Sequence, residues 1–294
     1  MALVKLFPAR GTIHYSQLKI IAPVLFIAIL FVYTFYAPLR ELYRDWTIDP
    51  NYSHGFLVPI ISAYFLWHRR NELKLNRSSF SWIGLLVMVL GMAGAIIGSA
   101  AAEWFVLRTS MLLFLQGIVL FVFGWSAYKH IWFPMNYLWL MIPLPYVIYY
   151  SMTFPLQRLS SYLAYLILSI MGVPTLLEGN ILHFSNFSLE VIEACSGLRS
   201  IMVLLALSAP IAYMSSLRLS CKILLFLSAI PIAIVANTLR LVITAFTGLF
   251  GNPEYIEDML MHQGAGILVF FLGLILVLSL NHILLRVQLC RKSS

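Results

Sequence analysis

Residues 198–215 read LRSIMVLLALSAPIAYMS, an apolar run long enough to cross a membrane as a single helix. The segment that leads into this run, VIEACSG at 191–197, carries Glu193 and Cys195, and Arg199 follows within the first helical turn. A carboxylate, a thiol and a guanidinium at the mouth of an apolar helix are not expected of a lipid-facing surface. The run therefore indicates a membrane-spanning fold, and the segment before it is the first candidate site.

The composition of the whole chain agrees with this class of protein. Hydrophobic residues make up 61% of the 294 and charged residues only 10%, and the mean hydropathy is +0.91, which exceeds what a soluble globular domain needs. The sequence shows no internal repeat, so we interpret residues 1–294 as a single integral-membrane domain. We predict an all-α polytopic fold with about eight transmembrane helices, at about 20–38, 55–68, 81–102, 105–125, 131–151, 198–215, 221–238 and 264–285.

The region between the fifth and sixth runs does not have the pattern of a span. Residues 155–172 are apolar but carry Arg158 with several serines and tyrosines, which predicts an amphipathic helix lying in the membrane interface. In residues 177–192 apolar and polar side chains alternate, which predicts a short hairpin or extended outer loop before the sixth span. Arg108 and Arg158 lie near predicted helix ends, and we expect both to extend toward lipid headgroups.

The distribution of basic residues predicts the orientation of the chain in the membrane. Thirteen of the 19 lysines and arginines fall on the face that holds both termini, and Glu72 is the one acidic residue there. Because cytoplasmic loops are enriched in lysine and arginine, both termini are predicted to be cytoplasmic. The net charge of +8 is then a topology signal, so the expected partner is the lipid bilayer and not nucleic acid. The other six basic residues fall on the outer face, and they are Arg40, Arg44, Arg108, Arg158, Arg199 and Arg240.

The same topology separates the three cysteines. Cys221 and Cys290 fall at the cytoplasmic ends of their runs, whereas Cys195 alone faces outward and has no partner for a disulfide on its side. If the sixth helix begins near residue 196, the helix dipole favours the thiolate of Cys195. Arg199 follows at i+4, on the same face, and its charge favours the thiolate further.

Two other polar positions fall on the same outer face. Asn237 and Arg240 are spaced i, i+3 at the outer end of the seventh run, and His262 precedes the small-residue start of the last run, GAG at 264–266. A cysteine nucleophile needs a proton shuttle and a positive group that stabilises the oxyanion. Cys195, His262 and Arg240 supply one of each. One outward cysteine with scattered histidines offers no close ligand pair, so we expect neither a metal nor a cofactor.

These motifs give the chain a family resemblance. EACSGLRS at 193–200, ANTLR at 236–240, YSHGFLVP at 52–59 and His262 before a small-residue helix start resemble the exosortases, integral-membrane cysteine transpeptidases related to the archaeosortases. The resemblance implies that Cys195 is the nucleophile and that Arg240 and His262 complete a catalytic triad. It also implies a secreted protein substrate whose C-terminal sorting signal has a Pro-Glu-Pro-type motif, an apolar helix and a basic end. The implied location is the bacterial inner (cytoplasmic) membrane, with the active site on the periplasmic face.

Several alternatives stay open from the sequence. Arg199 is a candidate partner for the glutamate of the signal. His54 is either a competing base or a structural group bonded to a loop carbonyl, and Glu193 either accepts a hydrogen bond from Arg240 or caps the sixth helix. Hydrolysis and transpeptidation share one thioester, so the sequence does not separate them. A different class of function, a transporter or scaffold for exopolysaccharide assembly and export, also remains.

Overall fold

The computed structural model describes residues 15–70, 81–191, 197–250 and 259–293. For residues 15–24, 259–265, 267–268 and 289–293 only the helical backbone is described. The α-helices are α1 Tyr15–Thr34, α2 Tyr36–Ile48, α3 Leu57–His68, α4 Trp82–Ala100, α5 Trp104–His130, α6 Trp132–Tyr137, α7 Tyr146–Ile170, α8 Leu198–Met214, α9 Leu219–Phe250 and α10 Met259–Ser293. Two 3₁₀ helices lie at Pro50–Phe56 and Leu138–Met141, and three short strands are β1 Leu176–Glu178, β2 Ile181–His183 and β3 Ser188–Glu190.

The structure confirms an all-α polytopic membrane fold. Among the described residues, α4, α5, α9 and the Val269–Gln288 part of α10 are long and apolar enough to span a membrane. A fifth span results if Leu25–Thr34 and Tyr36–Ile48, which meet at an angle of 72°, are counted together. Helix α8 is apolar but has only 17 residues. The count of eight spans therefore remains a prediction.

The predicted span at 131–151 is not a single helix. Its residues are divided among α6, the 3₁₀ helix Leu138–Met141 and the first turns of α7. Pro143 and Pro145 lie between the last two elements, and proline both lacks an N–H donor and disfavours helical backbone in the residue before it. Hydropathy alone does not show this interruption of the helical backbone hydrogen bonds.

Helix α7 contains the segment predicted as an interfacial helix and begins nine residues earlier, at Tyr146. Its buried face is polar and includes Thr153, Gln157 and Ser160, whereas the ring of Phe154 is 60% exposed. A helix that directs hydroxyl and amide groups to the protein and aromatic rings outward suits an apolar or interfacial surrounding. Helix α7 packs against α9, and this contact brings its polar face to the candidate site.

A three-stranded antiparallel sheet forms the predicted extended segment before α8. The strand order is β1-β2-β3, with Leu182 of β2 facing Leu177 and Leu189. Leu182 is fully buried and packs in one cluster with Leu168 of α7 and Leu241 of α9. The sheet is thereby fixed to the last turns of α9, at the end of the bundle where α8 begins.

Basic residues gather at the opposite end of α8 and α9. The guanidinium carbon of Arg69 lies 5.3 Å from the centre of the Tyr213 ring, and the ammonium of Lys222 lies 5.9 Å from the same ring. The Gln288 side chain donates to the carbonyl of Ser216 at 3.3 Å. The ends of α3, α8 and α10 and the start of α9 therefore meet at one end of the bundle, as the charge distribution predicted. Which compartment this end faces remains a prediction.

Arg108 does not extend to the lipid headgroups, and the prediction for this residue is wrong. Its side chain is 5% exposed, and its guanidinium lies 2.7 Å from a carboxylate oxygen of Asp45. The ion pair joins α5 to α2. A charge this deep requires a partner, and the partner comes from a helix more than 60 residues away, so local sequence gives no indication of it. Arg158 of α7 is exposed, as expected.

Candidate active site

The start of α8 is defined by a glycine that no other residue replaces easily. Gly197 has φ 88°, in the left-handed region that favours glycine. A Cβ at this position would also lie 3.2 Å from Cγ of Asn237 on α9. The group that approaches Gly197 most closely is the side chain of Asn237.

Asn237 connects three helices at this point. Its side chain is fully buried, and its Nδ2 donates to Oγ of Ser160 on α7 at 3.2 Å. Through Gly197 the same side chain touches the start of α8. Asn237 therefore fixes the positions of α7 and α9 relative to the segment that carries the candidate nucleophile. Sequence reasoning missed Ser160, because nothing in the α7 sequence indicates which helix its polar face contacts.

A cavity of about 500 Å³ is lined by residues from several separate elements. Its wall includes Arg199 of α8, Arg240 of α9, His54 of the first 3₁₀ helix and Gly266 of α10. None of the described residues that line it is acidic. Two guanidinium groups, with no carboxylate among the described lining residues, suit a carboxylate or a developing oxyanion as ligand.

His54 is deeply buried in the cavity wall. It is 5% exposed, and burial lowers its pKa below the ordinary value of about 6.5. The carbonyls of Leu140 and Asn51 oppose this shift, whereas the charge of Arg199 adds to it. Nδ1 of His54 has no hydrogen-bond partner among the described residues. The imidazole is therefore neutral at pH 7, and the carbonyl neighbours favour the structural alternative for this residue over the role of a base.

The remaining predicted site residues are described only in part by the structure. Glu193 and Cys195 lie outside the described residues, two to four positions before Gly197. His262 lies in the first turn of α10, one helical turn before Gly266, and its side chain is outside the described part of the chain. Gly197 and Gly266, which follow Cys195 and His262 in the sequence, lie at the start of α8 and in the cavity wall respectively.

Two other reactive side chains lie away from the cavity. His183 is on β2, where its Nδ1 lies 2.8 Å from Oγ of Ser188 and its Nε2 lies 3.5 Å from a carboxylate oxygen of Glu178. Cys221 has a free thiol in the first turn of α9. It is 19 residues before Arg240, which corresponds to about 28 Å along the helix.

These features define an α-helical integral membrane protein with a positively charged cavity at one end of its helix bundle. A family model described as transmembrane exosortase matches residues 46–279, most of the chain. The chain belongs to the transmembrane exosortase family. Searches of curated proteins and of solved structures gave no match.

Proposed function

We propose that this protein is a membrane cysteine protease or transpeptidase that cleaves the C-terminal sorting signal of secreted proteins. The observation that carries the proposal is the meeting of Arg199 and Arg240, from two separate helices, in one cavity at the end of the bundle where α8 begins. Family membership supports the same class of activity. The proposed location is the cytoplasmic membrane of a bacterium, with the cavity facing the periplasm.

In the proposed mechanism the thiolate of Cys195 attacks the carbonyl carbon of the scissile peptide bond. A carbon–sulfur bond forms, and the oxyanion is stabilised by the guanidinium of Arg240. The carbon–nitrogen bond then breaks as His262 gives a proton to the leaving amine, and a thioester remains on Cys195. Water or an amine attacks the thioester, the thiolate leaves, and the acyl group passes to the new nucleophile.

The remaining polar groups have supporting roles in this proposal. Asn237 positions α9 and the start of α8 through its contacts with Ser160 and Gly197. Arg199 pairs with the glutamate of a Pro-Glu-Pro-type signal, since none of the described residues that line its cavity carries a carboxylate. If so, Arg199→Glu abolishes processing of that signal and restores it for a Pro-Lys-Pro signal. Absence of rescue would refute the pairing.

The first test is co-expression with a tagged secreted protein that carries such a signal, comparing wild type with Cys195→Ala. Cys221→Ser is a matched control, since it removes a thiol at the opposite end of α9. Loss of the tail is read on a gel, and mass spectrometry of the new C-terminus distinguishes hydrolysis from transfer. We expect processing to disappear in Cys195→Ala alone. Unchanged processing in that variant would refute cysteine catalysis and favour the transporter or scaffold alternative.

A further inference from the structure

The cavity continues below its polar end as an apolar groove along α8. Arg199, Val203 and Leu207 all line it, and their i, i+4, i+8 spacing places them in one stripe about 12 Å long. The opposite wall is Val269 and Phe270 of α10. A ligand that fills this space therefore needs an anionic group at one end and an apolar body at the other.

The groove is wedge-shaped, because α8 and α10 touch at one level and separate at another. A Cβ added to Gly273 of α10 would lie 2.7 Å from Cδ1 of Leu204, so the two helices are in close contact there. Two turns earlier in α10, a Cβ added to Gly266 would meet no atom of the described residues within 4 Å. The two helices thus diverge toward the end that carries Arg199 and Arg240.

The wedge reaches the outer surface of the helix bundle. Leu57, the first residue of α3, lines the cavity and is also 48% exposed. Phe270 of α10 also lines the cavity and is partly exposed. The opening between α3 and α10 is therefore bordered by apolar side chains of membrane helices, which suits lateral access from a bilayer.

We propose that this wedge receives the apolar segment of the sorting signal. The segment enters from the bilayer between Leu57 and Phe270, with the acidic residue before it directed to Arg199. The inference rests on the proposed function for its ligand. Charge complementarity selects an acidic peptide with an apolar continuation, since both ends of the cavity are then matched.

The binding test uses the Cys195→Ala variant, which retains bound substrate under the proposed mechanism. A photo-crosslinking amino acid is placed at Leu207 in the groove or at Ile275 on the exposed face of α10. A tagged secreted protein with an acidic motif and an apolar tail is then co-expressed. We expect cross-linking from Leu207 and not from Ile275. Equal cross-linking from both positions, or cross-linking from Leu207 to phospholipid alone, would overturn the proposal.

A second variant closes the wedge without disturbing the packing. Gly266→Trp adds a side chain to open space, whereas Phe271→Trp adds similar bulk on the exposed face of the same helix. We expect Gly266→Trp to reduce cross-linking and tail removal about tenfold or more, since one misplaced methylene changes recognition by about 10–200-fold. Phe271→Trp leaves both unchanged. Equal effects of the two variants, at equal protein levels, would refute the wedge.

These outcomes separate the wedge from the catalytic proposal. If Gly266→Trp abolishes cross-linking at Leu207, the wedge is supported. If tail removal at the same time persists in Cys195→Ala, cysteine catalysis is refuted. Tail removal that depends on Cys195 but is unaffected by Gly266→Trp supports catalysis and refutes the wedge.

Discussion

Replacing Gly197 by alanine tests whether the start of α8 is as constrained as the structure indicates. The left-handed backbone at φ 88° costs an L-residue about 1–2 kcal/mol. The new Cβ would lie 3.2 Å from Cγ and Nδ2 of Asn237, whose side chain is fully buried and bonded to Ser160. Forcing a few tenths of an ångström of movement into a packed site adds about 1 kcal/mol. We therefore expect a total destabilisation of about 2–3 kcal/mol.

Gly172 provides a matched control for the backbone strain. It has φ +78°, and a Cβ there would meet no atom of the described residues within 4 Å. Gly172→Ala thus carries the conformational cost of about 1–2 kcal/mol without the contact. The assay is thermal unfolding of the detergent-solubilised protein, together with tail removal from a co-expressed substrate.

The two variants are expected to differ more in activity than in stability. Gly197→Ala displaces the segment two residues after Cys195, and a displacement of about 1 Å in a reacting group costs about 100-fold in rate. Gly172→Ala, in the turn after α7, leaves tail removal unchanged. Equal activity of the two variants would refute the inference that Gly197 and Asn237 position the nucleophile, and equal stability would refute the contact cost.

Two further predictions concern buried charges. Asp45→Asn leaves the guanidinium of Arg108 buried without its carboxylate and is expected to destabilise the protein by about 2–4 kcal/mol. Glu41→Gln removes a partly exposed i, i+3 pair with Arg44 and should cost less than about 1 kcal/mol in the same unfolding assay. Equal costs would contradict the structural ion pair. Burial holds the pKa of His54 below its value in the unfolded chain, so the unfolded chain binds more protons in acid, and the wild type should lose stability as the pH falls below about 6.5. When the unfolding temperature is measured from pH 8 to pH 5, His54→Gln should show a smaller loss of stability than the wild type. Identical pH profiles of the two proteins would exclude His54 as the source of the loss.

Hydropathy located several helices closely but missed where helices continue or break. The predicted runs at 81–102 and 198–215 correspond to α4 and α8 within two residues at each end. The predicted run at 221–238 ended next to polar Asn237, yet α9 continues to Phe250. Its last turns are covered by α7 and the sheet, and tertiary packing of this kind sustains a helix beyond its apolar run. Hydropathy indicates whether a segment prefers apolar surroundings, but it does not show where its helical backbone hydrogen bonds continue or end.

The candidate site was predictable where helix spacing and topology determine it. Arg199 and Arg240 were placed at the same outer level because each lies at the outer end of its run, and they share one cavity. The contact of Asn237 with Ser160 was not predictable, since it depends on how α7 folds back onto α9. His54 illustrates the same limit: its motif was recognised, but its carbonyl neighbours, including Leu140, come from the fold.

The position of the cavity follows from the energetics of charge in a bilayer. An arginine at the centre of a transmembrane helix costs about 2.5–3.5 kcal/mol or more, and this cost falls toward the helix ends. Deep in the bundle α8 and α9 pack through small residues, and Ala229 and Ala233 are fully buried there. The guanidinium groups lie only where α8 and α10 separate, past the contact of Leu204 with Gly273. A peptide that reaches them must therefore present its polar segment just outside the apolar layer while its apolar continuation stays within it.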